Sequence, residues 1–320
     1  MSDKITLSIV VPVFNEAENL ELFYKKVKEE ICKINSQIIA IDYGFVFVND
    51  GSKDNSLEVL ENLKYKDEKI KIVDFSRNFG KEAAILAGLQ EAYKQRVDCV
   101  VLIDADMQDP IEFIYTMFEK YYKEGKEIVF ARRIDREGEG VIKRFLSESF
   151  YRLSNCISEV KIHSGVRDFR LMSREVVEAI LELKEYHRFS KAIFEWVGFN
   201  KEILEYKYIP RNSGVSGWSF WKLFKYAIEG LISFSTLPLR LAFVVGFLAS
   251  FLAFLYGIWI IFDTLYYGSD VKGYPSLMCV IVFFGGLHLI VLGVIGEYIA
   301  RIYEQVKGRP HFIVRKRKIK

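Results

Sequence analysis

One stretch limits the possible folds more than any other: LAFVVGFLASFLAFLYGIWIIF, residues Leu241–Phe262, which holds no charged side chain. A bilayer core of about 30 Å takes about 20 apolar residues as a helix, and lipid leaves no other way to satisfy the backbone of a single segment. A second apolar stretch, Leu277–Ile295, ends at Glu297. The chain is 51% hydrophobic and 27% charged, too apolar for an average soluble enzyme and too charged for a bundle of spans alone. A water-soluble domain followed by a two-helix membrane region fits that balance. Lys222, Lys225 and Arg240 precede the first stretch, and Arg301, Lys307 and Arg309 follow the second, whereas the loop between them carries one lysine. The positive-inside rule then puts both termini in the cytoplasm, at the cell membrane.

Ahead of the first span, Trp218, Trp221, Phe224, Ile228 and Leu231 recur every three or four residues, as on one face of a helix lying in the membrane interface. A helix packed on the soluble domain has the same pattern. A second amphipathic stretch is expected near Glu297–Val306. The tail RKRKIK holds five of the positive charges, so a net charge of +3 leaves the rest of the chain slightly negative. Such a tail is either drawn to anionic headgroups or simply solvated. No basic stripe runs through the body, which argues against nucleic-acid binding. The four cysteines show neither metal-ligand nor disulfide spacing. The N-terminus reads as a first strand rather than a signal peptide.

The first part of the chain alternates short apolar runs with helical patterns, the signature of a parallel α/β sheet. Strands are expected at Leu7–Val13, Phe45–Asn49, Ile70–Phe75, Cys99–Ile103 and Ile128–Ala131. Helices are expected near Glu18–Cys32, Asn55–Lys64, Gly80–Tyr93 and Ile111–Glu124, and a strand–helix unit at Phe169–Leu183. Residues 133–165 read as a loop leading into a helix. Polar residues cluster just after the strands, at the carboxyl ends where open parallel sheets bind ligands.

The most informative of these clusters is LIDADMQDP, where Asp104, Asp106 and Asp109 follow an apolar strand. If the segment stays extended, the side chains of Asp104, Asp106 and Gln108 point the same way. Two carboxylates and an amide oxygen make a hard-oxygen site suited to Mg²⁺ or Mn²⁺ shared with substrate phosphates. Asp109-Pro110 reads as a helix start, with Asp as N-cap and Pro at N1. In FVNDGS, Asp50 could meet a nucleobase or a ribose hydroxyl, or belong to a capping turn into Asn55. Neither a dinucleotide fingerprint nor a P-loop occurs.

Taken in order, SIVVPVFNEAENL, FVNDGSKDNS, SRNFGKEAA, LIDADMQDP and DFRLMSREVV resemble the family-2 glycosyltransferases of GT-A fold. The resemblance is strongest to the polyprenyl-phosphate branch, which includes dolichol-phosphate mannose synthases and bactoprenol glucosyltransferases. It implies a GT-A domain over residues 1–215, an interfacial helix over 216–238, two membrane helices over 239–297 and an amphipathic, basic tail over 298–320. It further implies inverting transfer of a sugar from a nucleotide-diphosphate sugar, UDP-glucose first among the candidates, to polyprenyl (undecaprenyl) phosphate at the bilayer. A divalent metal and a homo-oligomer packed through the membrane helices are also implied.

Position by position, Pro12, Phe14 and Glu16 match the first nucleotide-binding loop, and Val48 and Asp50 the base-contacting segment. Asp104 matches a nucleotide contact, and Asp106 and Gln108 the metal ligands. Arg132 resembles a basic residue near the donor, while Arg144 and Arg211 resemble residues near the lipid phosphate. Asp168 resembles the catalytic aspartate. One departure is Gly217, which stands where a basic residue is usual. A processive polysaccharide synthase and a catalytically silent sugar-nucleotide binder are the rival readings. The first would need a Q-x-x-R-W motif that this sequence lacks.

Overall fold

A computed structural model describes residues 4–134, 166–207, 237–267 and 273–315. Among them, β1 (Thr6–Val13), α1 (Leu20–Gln37), β2 (Asp42–Asn49), α2 (Ser56–Lys66), β3 (Ile70–Asp74), α3 (Lys81–Lys94) and β4 (Cys99–Leu102) alternate regularly. Then come α4 (Phe113–Glu124), β5 (Ile128–Arg133), β6 (Val166–Ser173), α5 (Arg174–Glu182), α6 (Ser190–Trp196) and β7 (Lys201–Tyr206). Two long helices follow, α7 (Leu237–Tyr267) and α8 (Tyr274–Val306). The interfacial helix expected around Trp218, residues 135–165 of the loop expected over 133–165, and Arg144, Arg211 and Gly217 lie outside the described residues, while Arg133 belongs to β5.

The strands form one seven-stranded sheet in the order β3-β2-β1-β4-β6-β5-β7. β1 pairs in parallel with both β2 and β4, so the chain runs outward from β1 in two directions. Such a reversal opens a crevice at the carboxyl ends of the two diverging strands. The sheet is mostly parallel, as expected, with one exception: β6 inserts antiparallel between β4 and β5. β1 and β4 are nearly continuous in buried apolar residues because helices cover both faces of the sheet.

α1 sends Leu20, Phe23, Val27, Ile31 and Ile34 into the core at helical spacing. α3 packs more closely, through Ala83, Ala84, Ala87 and Gly88. A Cβ on Gly88 would stand 2.3 Å from Val10 Cγ1 and 3.3 Å from Val48 Cγ2, so this glycine sets how near α3 comes to β1 and β2. That nearness puts the start of α3 beside the crevice.

After α8, the chain contributes a short strap to the edge of the same sheet. Ser76 N–H donates to the Ile313 carbonyl (2.9 Å) and Arg315 N–H to the Asp74 carbonyl (2.8 Å). Phe312 stacks on Phe75 at 4.9 Å, His311 stacks on Tyr186 at 5.4 Å, and the Arg315 guanidinium donates to the Ser76 carbonyl. The basic tail therefore begins at a sheet edge, which periodicity alone did not foretell.

α7 and α8 pack against each other in a separate unit. Along α7, Phe243, Phe247 and Phe251 stack one turn apart and remain exposed. α8 runs unbroken through the expected Glu297–Val306 segment, so that stretch continues a long helix. By length and composition, one segment among the described residues, Phe283–Val306, suffices to cross a bilayer; the apolar stretch Ala242–Tyr256 in α7 is shorter.

Candidate active site

Three loops meet at the switch between β1 and β4. The first, Phe14–Ala17, is tied to the loop after β2. Asn15 N–H donates to Ser52 Oγ (3.0 Å), Glu16 N–H to Ser56 Oγ (2.9 Å), and Lys53 N–H to Asn15 Oδ1 (2.8 Å). Asn15 adopts a left-handed backbone (φ 57°), which Asn tolerates better than most residues. Phe14 is left 44% exposed at the mouth, and the Glu16 carboxylate accepts from Asn19 Nδ2. Pro12 lies on β1 opposite Val48 of β2, and Val48 is fully buried.

Asp50 follows β2 and is buried, with its carboxylate turned inward. It accepts from Phe79 N–H (2.6 Å) and Gly80 N–H (3.0 Å), which fixes the Ser76–Gly80 loop and the start of α3. The carboxylate thus braces α3; the capping turn at Asn55 does not use it. Burial pushes the Asp50 carboxyl up despite these two donors. Gly51 is held where a Cβ would come within 2.5 Å of the Arg77 and Asn78 backbone, and its φ of +64° suits glycine.

The segment after β4 differs from the extended run expected from the sequence. β4 ends at Leu102, and Asp106 Oδ1 accepts from Gln108 N–H (3.1 Å), an Asx-type turn that reverses the chain. Met107 is left-handed (φ 59°), a strained position for a long side chain of the kind that collects at functional sites. The three side chains consequently take different directions. Asp104 faces Lys81 Nζ at 2.7 Å, whereas Gln108 Oε1 accepts from Arg167 Nη2 at 2.9 Å.

Asp109 is not a helix cap. α4 begins only at Phe113, after a turn closed by Phe113 N–H to the Pro110 carbonyl. Asp109 is buried instead, where Oδ1 accepts from Tyr206 Oη (2.6 Å) and Arg167 Nε (3.2 Å). A buried carboxylate is held by donors from β6 and β7, which no local pattern could reveal.

The antiparallel course of β6 brings its first residues to the same edge. Arg170 pairs with Leu102, so Val166–Asp168 extend past the end of β4. Asp168 is thereby carried to Lys81 Nζ, with which it makes a short ion pair. Burial opposes ionisation of Asp168, but the Lys81 ammonium, with Lys191 and Arg170, outweighs it and holds the carboxyl far below the usual range. Burial conversely raises the Asp104 carboxyl, against the pull of Lys81.

Arg170 does not contact the Asp168 carboxylate. The residue is 1% exposed, and its guanidinium lies 3.7 Å from the Phe194 ring centroid and donates to the backbone carbonyls of Asp168 (3.1 Å) and Arg167 (2.8 Å). It is a buried clamp on the β6 backbone. Arg132, near the end of β5, pairs with Glu205 of β7, two strands away from β4.

Lys81, Arg167 and Arg170 carry no local sequence pattern that marks them individually as site residues. The one available signal was SRNFGKEAA itself, a glycine-terminated loop opening a helix at the carboxyl edge. Among the described residues no group of three or more His, Cys, Asp or Glu could hold a metal.

The profile described as Glycosyl transferase family 2 matches residues 8–181, which include every described site residue apart from those on α6 and β7. The profile described as GtrB C-terminal hairpin matches residues 237–302. The SfII prophage-derived bactoprenol glucosyl transferase of Shigella flexneri is 46% identical, over 97% of this chain and 97% of its own. A prophage bactoprenol glucosyl transferase homolog of Escherichia coli K12 is 44% identical over 97% and 98% of the two chains. The putative glycosyltransferase CsbB of Bacillus subtilis 168 is 40% identical over 98% and 92%. With the family profile matched over residues 8–181, the hairpin profile over 237–302 and relatives alike along nearly its whole length, the chain belongs to glycosyl transferase family 2 and carries the GtrB C-terminal hairpin.

Proposed function

We propose that this protein transfers glucose from UDP-glucose to a bactoprenol-type polyprenyl (undecaprenyl) phosphate at the cytoplasmic face of the cell membrane. The observation that carries the proposal is end-to-end likeness, at 44–46% identity, to proteins named for bactoprenol glucosyl transfer. The reaction joins an acceptor phosphate oxygen to the anomeric carbon from the face opposite the leaving group. The bond from that carbon to the diphosphate breaks, and the nucleoside diphosphate leaves with the electron pair.

The Phe14–Ala17 ledge and Pro12 receive the nucleotide, Val48 and Asp50 shape that wall from buried positions, and Asp104 contacts it from the other side of the crevice. Arg132 is assigned to the donor side, and Arg144 and Arg211 to the lipid phosphate. A phosphate monoester has a second pKa of about 6, so the acceptor is already anionic at neutral pH. Asp168, kept ionised by Lys81, serves to orient the acceptor and does not need to take a proton.

In the proposed metal site, Asp106 and Gln108 would supply one carboxylate and one amide oxygen from a single tight turn, with the remaining ligands drawn from a diphosphate and water. Gln108 Oε1 would leave Arg167 or be shared with it. Mg²⁺ or Mn²⁺ there would supply charge neutralisation for the departing diphosphate. The two helices α7 and α8, of 31 and 33 residues, are about 46 and 50 Å long at 1.5 Å per residue. That is enough for a two-span anchor with both termini cytoplasmic, and the hairpin is the natural surface for a homo-oligomer.

Membranes containing the protein, given labelled UDP-glucose, UDP-N-acetylglucosamine, UDP-galactose or GDP-mannose with Mg²⁺ or Mn²⁺, are expected to yield a labelled lipid from UDP-glucose. Asp106→Asn is expected to abolish that transfer while leaving the protein folded and in the membrane. Label in polymer, or in no lipid from any donor, would refute the proposal. Full activity of the variant would refute the metal site.

A further inference from the structure

Among the described residues, Lys81 has an unusual placement in the crevice. Lys81 is the first residue of α3, directly after Gly80, whose N–H is bound by Asp50. Its neighbour Glu82 is anchored in turn, accepting from Ser190 N–H at 3.0 Å. The backbone on both sides is therefore fixed. From this position one ammonium reaches two carboxylates that arrive from different strands: Asp104 after β4 at 2.7 Å, and Asp168 at the start of β6 in closer contact still. The Asp104 and Asp168 side chains are 21% and 13% exposed, whereas the lysine is 45% exposed.

Two mostly buried carboxylates at one point repel each other unless a cation stands between them. Arg170, the nearest alternative on β6, spends its donors on backbone carbonyls. Arg167 turns to Gln108 and Asp109.

We propose that Lys81 is a positioning residue for the transfer, its ammonium bridging Asp104 on the nucleotide side to Asp168 on the acceptor side and so fixing the spacing of the two. The inference rests on the proposed function for the meaning of the two sides. Lys81 acts through Asp168 and holds it in place as an anion. A neutral residue at position 81 removes the bridge, and the two carboxylates then separate or one takes up a proton. The charged groups facing Asp168 are Lys81 and Glu82 on α3, Asp104 after β4, Arg170 on β6 and Lys191 on α6. Of the three cations among them, Lys81 alone hydrogen-bonds the Asp168 carboxylate among the described residues.

The test uses the full chain in membranes. Lys81→Met is expected to lower kcat at least tenfold with KM for the sugar nucleotide changed less than threefold. The acid limb of its kcat profile should lie at higher pH than in the wild type, because loss of the ammonium raises the Asp168 carboxyl. Lys81→Arg, which keeps the charge, should recover part of kcat and return the acid limb toward its original position. Unchanged kcat and acid limb in Lys81→Met would overturn the proposal.

A second measurement needs no activity: trace acetylation with acetic anhydride, read by mass spectrometry. Lys81 should label at least tenfold more slowly than Lys94, whose side chain is 72% exposed, and faster once Asp168→Asn removes its partner. Equal labelling of the two lysines in the wild type, or no change in Asp168→Asn, would equally overturn it. If the wild type transfers no sugar at all, the proposed function fails, and the labelling still decides whether the bridge exists.

Discussion

Arg170 offers the sharpest test of how the crevice is built. Its guanidinium is buried against Phe194 and satisfies two backbone carbonyls at the point where β6 passes the end of β4. Arg170→Met conserves bulk and apolar contact but removes both donors and the charge. Each orphaned carbonyl costs about 1–3 kcal/mol. The change also takes a cation from the vicinity of Asp168, Glu195 and Glu82. Removing one partner from a buried charge cluster costs about 3–5 kcal/mol as a whole, and the carbonyl loss is part of that total. For a domain of this size such a loss lowers Tm by about 6–20 °C. Burial pushes the Arg170 guanidinium down to about 10, which still leaves it charged at neutral pH. Thermal unfolding of the detergent-purified chain, followed by near-UV circular dichroism, reads the shift directly. Arg170→Lys keeps the charge and loses the fork, so its Tm should fall between the two. A Tm for Arg170→Met within about 2 °C of the wild type, well short of the loss worked out above, would refute the clamp.

Two further outcomes follow from the same edge of the sheet. Phe312→Ala removes the stack on Phe75, worth about 0.5–1.5 kcal/mol beyond its buried area. Hydrogen exchange at Ser76 N–H, which donates to Ile313, should quicken roughly two- to tenfold, and unchanged exchange would show that the strap is held by other contacts. Asp50→Asn tests the brace under α3. Because burial raises the Asp50 carboxyl above its unfolded value, its contribution to stability is fully present below the ordinary carboxylate range and is lost as pH rises through the folded value. The variant, neutral throughout, should therefore lose less Tm than the wild type between about pH 4 and pH 7, and parallel curves would contradict this.

Much of the protein was legible in its residues. Apolar runs bounded by polar turns marked β1 to β5 and the helices between them to within a few residues, since burial on both faces leaves a strand little choice of composition. The charge-free run at Leu241–Phe262 marked a long apolar helix for the same kind of reason. The order of the five motifs carries the likeness to the family without any knowledge of contacts. The direction of β6 was not legible, because strand polarity is set by the chain's path and leaves no periodic trace. That direction alone takes Asp168 to the edge where Asp104 lies. Nor could spacing show that Asp106 folds its segment back through Gln108 N–H, or that Asp109 serves Tyr206 and Arg167 instead of starting a helix. The Asp109 contacts span 97 and 58 residues of chain, made when burial forces a carboxylate to find a donor. The sequence determined by itself which chemical groups stand at the carboxyl edge, because strand and loop are local properties of the chain. Only the tertiary structure decided which of them meet, and it put one lysine between two aspartates, because the pairing of distant strands and the desolvation of charge are settled together when the sheet closes.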